Sequence, residues 1–151
     1  MTNTAVFFFI VLAVVAGMMM PTQAAINNNL AQTVESPILA AFVSFVVGTL
    51  ALFIYIVVTG LPLSNLASIR NASLISLTGG ILGAFFVAST VILVPRLGVA
   101  LTFSLIIAGQ MLVTLVIDHF AILGVPEKPV NWVRIVGAVL ITFGVVLIRK
   151  F

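Results

Sequence analysis

Five apolar stretches, at residues 5–30, 37–59, 72–94, 97–118 and 130–148, take up most of this 151-residue chain, and the gaps between them hold nearly every charge. A helix crossing the hydrocarbon layer of a bilayer needs about 20 mostly apolar residues, so each stretch is long enough to span. A helix also pairs its own backbone groups, as a segment in lipid must. Composition agrees: 63% of the residues are hydrophobic and 6% charged, where a soluble domain needs about 25% charged residues. The expected fold is an all-α membrane protein of five transmembrane helices, forming a single transmembrane domain over residues 1–151 with no soluble appendage.

Charge and residue inventory exclude several classes of function. The net charge of +3 comes from six Lys and Arg against three acids. These residues are scattered singly, which gives no basic patch of the kind that holds nucleic acid. There are no cysteines and one histidine, so disulfides, thiolate chemistry and metal ligation by this chain alone are not expected. No Ser/His/Asp set, phosphate loop or metal spacing is present, and neither enzymatic activity nor a cofactor is expected.

The breaks between the stretches carry start and stop signals. Ser36 is placed to cap the second helix with Pro37 at its first position. Gly60-Leu61-Pro62 ends that helix, Asn71 is a candidate cap for the third, Pro95-Arg96-Leu97-Gly98 forms a tight reversal, and residues 124–129 form a loop. Pro21 removes one helical hydrogen bond from the first stretch, so an irregularity is expected between Met18 and Gln23. A cleaved leader is the rival reading of that stretch; the absence of Lys or Arg from residues 2–7 weighs against it.

With the N-terminus outside, Arg96, Arg149 and Lys150 fall on the inner side and Arg70, Lys128 and Arg134 on the outer. Orientation follows the Lys/Arg difference between the two sides, and a difference of zero gives insertion no preferred direction. Insertion both ways and insertion in one orientation set by other features both stay open. Small residues recur at helical spacing: Ala40, Ser44 and Gly48 on the second stretch, Ser76, Gly80, Ala84 and Ala88 on the third, and Gly137 and Gly144 on the last. In lipid such faces let helices approach closely and associate, within one chain or between two.

Polar residues inside the stretches are the candidates for function, because each costs free energy in hydrocarbon unless it finds a partner or water. Gln23 and Asn27 share one face of the first helix, and Gln110, Thr114 and Asp118 form an i, i+4, i+8 row on the fourth. The two rows read either as the wall of a shared polar cavity or as hydrogen bonding between helices. Asp118 and His119 fall where the fourth helix leaves the membrane, and Trp132 and Arg134 have the character of interface anchors. No carboxylate lies in the middle of a stretch, so a buried acid that trades protons for a cationic solute is absent.

At these residues the chain resembles the YdcZ-type family of the drug/metabolite transporter superfamily. The resemblance rests on Gly17, Pro21, Gln23, Asn27 and Leu30, on Pro95-Arg96-Leu97-Gly98, on Gly109-Gln110, on Asp118-His119-Phe120, and on Arg134, Gly137 and Gly144-Val145. One departure is Ala121, where the family pattern implies glycine directly after the phenylalanine. The resemblance implies half of an inverted-repeat transporter in the bacterial inner membrane, completed by a second copy in the opposite orientation and binding a small organic metabolite near the bilayer midplane. On that reading Gln23, Asn27, Gln110 and Thr114 line the substrate site, and Asp118 and His119 serve coupling or gating. A dual-topology channel for a small ion and a non-transporting membrane subunit are the alternatives. The partners expected are a small-molecule substrate, membrane lipid and a homodimeric mate.

Overall fold

A computed structural model describes residues 3–150. Among them lie six α-helices and no β-strand: α1 (Asn3–Thr33), α2 (Pro37–Thr59), α3 (Leu74–Leu77), α4 (Gly79–Leu97), α5 (Val99–His119) and α6 (Trp132–Lys150). Segments of 3₁₀ helix occupy Leu63–Asn71 and Ile122–Gly124. Since α3 and α4 together form one apolar run, Leu74–Leu97, five spans are long and apolar enough to cross a membrane. Large apolar side chains such as Phe8, Phe42, Leu52, Val58 and Phe85 stay exposed on these helices, as expected where hydrocarbon, not water, is the solvent.

The described residues pack as two units, divided between Pro95 and Arg96. In the first unit α1 runs without interruption through Pro21 to Thr33. The Thr22 hydroxyl, one residue past the proline, donates to the Met18 carbonyl at 2.9 Å. A three-residue turn then leads into α2. Ser36 caps α2, its hydroxyl accepting from the Leu39 N–H at 3.3 Å, and Pro37 stands at the first helical position, where no N–H is needed. At the other end Gly60 takes the left-handed conformation, φ 69°, and the Leu61 N–H closes back on the Ile56 carbonyl at 3.1 Å. This is the glycine-terminated helix end that the sequence suggests at Gly60-Leu61-Pro62.

Alanines set the approach of α1 to α2. Ala31 of α1 and Ala40 of α2 are buried with Val91 of α4, and Leu30 and Val34 pack over them. With no side chain beyond Cβ, these positions let helix backbones come close, which supplies contact where lipid offers no hydrophobic drive. Ala41, Phe42 and Phe45 of α2 face Ala84 and Ala88 of α4 across an apolar groove, and a Cβ added at Gly83 would meet the Phe45 ring at 3.4 Å. A Cβ at Gly80, Gly137 or Gly144 would meet nothing within 4 Å.

The third span differs in detail from the sequence reading. Its cap is Ser73, whose hydroxyl accepts from the Ser76 N–H at 3.2 Å and lies 2.8 Å from the Ser76 hydroxyl. Asn71, expected as the cap, instead ends the preceding 3₁₀ segment. The helix is interrupted at Thr78, whose hydroxyl and N–H both turn back to the Ile75 carbonyl. Gly79 and Gly80 follow directly, and glycine lowers the cost of such a break.

The second unit is a hairpin of α5 and α6. Gly98, at φ 79° and ψ 162°, precedes α5 in a conformation open only to glycine. The hairpin loop carries three further residues with positive φ: Ala121 (50°), Leu123 (63°) and Gly124 (80°). Ala121 is the position at which glycine is expected by resemblance, and its left-handed backbone is the physical reason for that preference.

Candidate functional site

The first unit holds a shallow, open cavity of about 520 Å³ between α1 and α2. Gln23 and Asn27 line it from α1 together with Met20, and Ser44 lines it from α2 between Val43 and Val47. The helical repeat produces this set. Met20, Gln23 and Asn27 fall on one stripe of α1 at spacings of three and four, next to the buried Ala24. The volume suits a small organic molecule.

Asn27 is the unusual member. It is only 4% exposed, and its Nδ2 has no hydrogen-bond partner. A buried amide left unpaired costs about 1–3 kcal/mol, so a packed helix gains nothing in stability from holding it there. Gln23 is exposed to the cavity, whereas the neighbouring Thr22 hydroxyl is already used by the Met18 carbonyl. The cavity wall contains no ionisable side chain. It can offer hydrogen-bond donors and acceptors from two amides and a serine, thioether and aliphatic surface, and no fixed charge.

Gln110 and Thr114 belong to the second unit, on α5, and both are exposed. The Thr114 hydroxyl donates to the Met111 carbonyl at 3.0 Å, within its own helix. Neither residue lines the α1–α2 cavity. Ser44 was legible in sequence only as a small packing residue. Its signal was a hydroxyl on the stripe Ala40, Ser44, Gly48, a polar atom at a position where alanine would pack equally well.

Asp118 and His119 build a second cluster where α5 gives way to the hairpin loop. The Asp118 carboxylate accepts from the Arg134 guanidinium through Oδ2, each side chain being 29% exposed. Arg134 also donates from Nη1 to the Lys128 carbonyl at 2.7 Å. The Lys128 N–H in turn donates to the Asp118 carbonyl at 2.8 Å. His119 accepts the Val130 N–H on Nδ1 at 3.2 Å, which leaves its proton on Nε2. Its ring meets Phe120 edge to face, with centroids 4.7 Å apart. Asn131 caps α6 by accepting the Arg134 N–H at 2.9 Å. Arg134, expected as a snorkelling anchor, is tied by its guanidinium to a carboxylate and a carbonyl and stays partly exposed. Sixteen residues separate it from Asp118, and only the folded loop closes that gap. Trp132, beside it, keeps its indole exposed, in keeping with an interface position.

A family model described as "Putative inner membrane exporter, YdcZ" matches residues 8–147. No curated protein and no solved structure matches the chain.

Proposed function

The chain belongs to the YdcZ family of inner membrane exporters, and on that premise we propose that it is a secondary-active transporter moving a small organic metabolite by alternating access. The family is one of transporters, not of enzymes, and the five apolar spans make the chain a multi-pass protein of the inner membrane. One observation carries the reading: Asn27 is buried against a cavity with its amide nitrogen unpaired. In a protein with so few polar residues, an unpaired buried donor is best accounted for by a solute that passes and pairs with it.

In the proposed mechanism two copies in opposite orientation form one transporter, each supplying half of an inverted repeat and together acting as one transmembrane domain. Gln23 and Asn27 bind the solute in the α1–α2 cavity, Gln110 and Thr114 offer a second polar row on α5, and Asp118 and His119 act at the hairpin end in coupling or gating. Of the small-residue faces, Ser76, Gly80 and Ala84 on the third span and Gly137 and Gly144 on the last, one supplies the surface on which the copies meet and the other serves packing within the chain. The lack of a charged group in the α1–α2 cavity favours an uncharged solute or one whose charge is met elsewhere.

The test is substitution of Asn27 by Ala and by Leu, with uptake and counterflow measured in reconstituted vesicles over a panel of metabolites. Both variants are expected to fold as the parent does, with Asn27→Leu at least as stable because it removes an unpaired amide, and to lose transport. Full transport by either variant would remove Asn27 from the site. Cysteine labelling at both termini, on a background without native cysteine, tests the antiparallel pair: each terminus is expected to react from both sides of the membrane.

A further inference from the structure

The connection from the second span to the third contains a feature that the transport reading does not use. Leu63–Asn71 is a 3₁₀ helix of nine residues, more than twice the length at which such helices become uncommon. A 3₁₀ helix has three residues per turn, so side chains at i and i+3 stack directly above one another. In this segment that period places Leu63, Leu66 and Ile69 on one ridge, Asn65, Ser68 and Asn71 on the second, and Ser64, Ala67 and Arg70 on the third. The three apolar residues stack in one line only at this period: at the α-helical period they would share a broader face, drifting across an arc of about 120°.

The apolar ridge is unsatisfied by protein. Leu63, Leu66 and Ile69 are 47%, 61% and 54% exposed. Arg70 lies on the adjoining ridge and spends its Nε on the Ala67 carbonyl at 3.3 Å. It forms no ion pair among the described residues, and the nearest acid in sequence is Glu35. The two outer nitrogens of its guanidinium form a fork suited to phosphate.

The depth of the segment follows from its tethers. It begins three residues after α2 ends and stops two residues before α3 begins, so both of its ends are held at the mouths of membrane spans. At about 2 Å of rise per residue it is about 18 Å long, a rod with no slack to lift away from the surface. An apolar ridge fixed at that depth beside a basic residue is the arrangement of an interfacial helix lying in the membrane plane.

We propose that Leu63–Asn71 is a membrane-surface anchor, with Leu63, Leu66 and Ile69 sunk at the boundary of headgroups and acyl chains and Arg70 bound to a lipid phosphate. The ridge of Asn65, Ser68 and Asn71 then faces water. Because the segment joins two spans, it holds their ends at a fixed depth while the helices move.

The absence of native cysteine makes the test direct. Leu66→Cys and Ser68→Cys variants carry a nitroxide label and are reconstituted in vesicles of phosphatidylethanolamine and phosphatidylglycerol. Power saturation then compares access of oxygen, which concentrates in the bilayer, with access of a water-soluble nickel chelate. The label at 66 is expected to favour oxygen and the label at 68 the chelate, a reversal across two residues. Chelate access at both positions would show a segment in water, and shielding of position 66 from both probes would show a protein partner on the ridge; either overturns the proposal. Adding Arg70→Gln to the Leu66→Cys background is expected to shift its label toward the chelate, and an unchanged depth would overturn the role of Arg70. Transport need not be measured, so the result stands apart from the fate of the proposed solute site.

Discussion

Cutting the Asp118–Arg134 bond from each side in turn gives two unequal losses, and the inequality tests the geometry of the hairpin. Asp118→Ala removes the ion pair but leaves the Asp118 carbonyl, which accepts the Lys128 N–H. The pair lies between a surface bridge, worth below about 1 kcal/mol, and a buried one, whose rupture costs about 3–5 kcal/mol. At 29% exposure on each side, about 1.5 kcal/mol is expected for it. Arg134→Ala removes the same pair and in addition the bond from Nη1 to the Lys128 carbonyl, for about 1 kcal/mol more. The expected losses are therefore about 1.5 and about 2.5 kcal/mol, with a coupling of about 1.5 kcal/mol in the double-mutant cycle. Reversible denaturant unfolding in micelles measures this, followed by the fluorescence of Trp132, the single tryptophan, two residues from Arg134. Equal losses, or a coupling indistinguishable from zero, would refute the network as described and leave Asp118 free for another task.

Two further substitutions report on backbone and capping. Ala121→Gly is expected to stabilise the hairpin by about 0.5–1 kcal/mol, since it relieves a left-handed alanine at φ 50° at the cost of a more flexible unfolded chain; a raised midpoint in the same unfolding assay checks it. Ser36→Ala is expected to cost about 1 kcal/mol through loss of the Leu39 N–H cap, whereas Ser36→Asp is expected to retain most of it.

What could be read in the sequence is what depends on neighbours along the chain. The spans follow from unbroken apolar runs, and the ends of α2 follow from Ser36-Pro37 and Gly60, each of which acts within a few residues of itself. The Met20, Gln23 and Asn27 stripe is likewise a matter of helical period, and the cavity that it lines is where that stripe meets α2. Contacts that depend on loop geometry escaped. Arg134 could be placed near an interface by composition, but its attachment to Asp118 needs the path of residues 120–131, with three positive φ angles among them. The cap of the third span was misplaced because Asn71 and Ser73 are equally good caps. The choice between them was made by the 3₁₀ segment that consumes Asn71, whose period-three pattern is unlike the two periods normally sought.

The length of α1 has a consequence for where solute would meet the protein. At 31 residues the helix is about 46 Å long, against a hydrocarbon layer of about 30 Å, so a substantial part of it must tilt or stand out of the layer. The charged Glu35 in the following turn marks the watery end. Asn27 precedes the last helical residue, Thr33, by six positions, about 9 Å along the axis. Met19, at the far end of the lining, precedes Thr33 by fourteen positions, about 21 Å, so the cavity extends from near the α1–α2 turn to past the middle of the layer. In a pair of opposed copies each cavity would reach from a different face into the middle of the membrane, the depth at which a solute could be handed from one face's access to the other's.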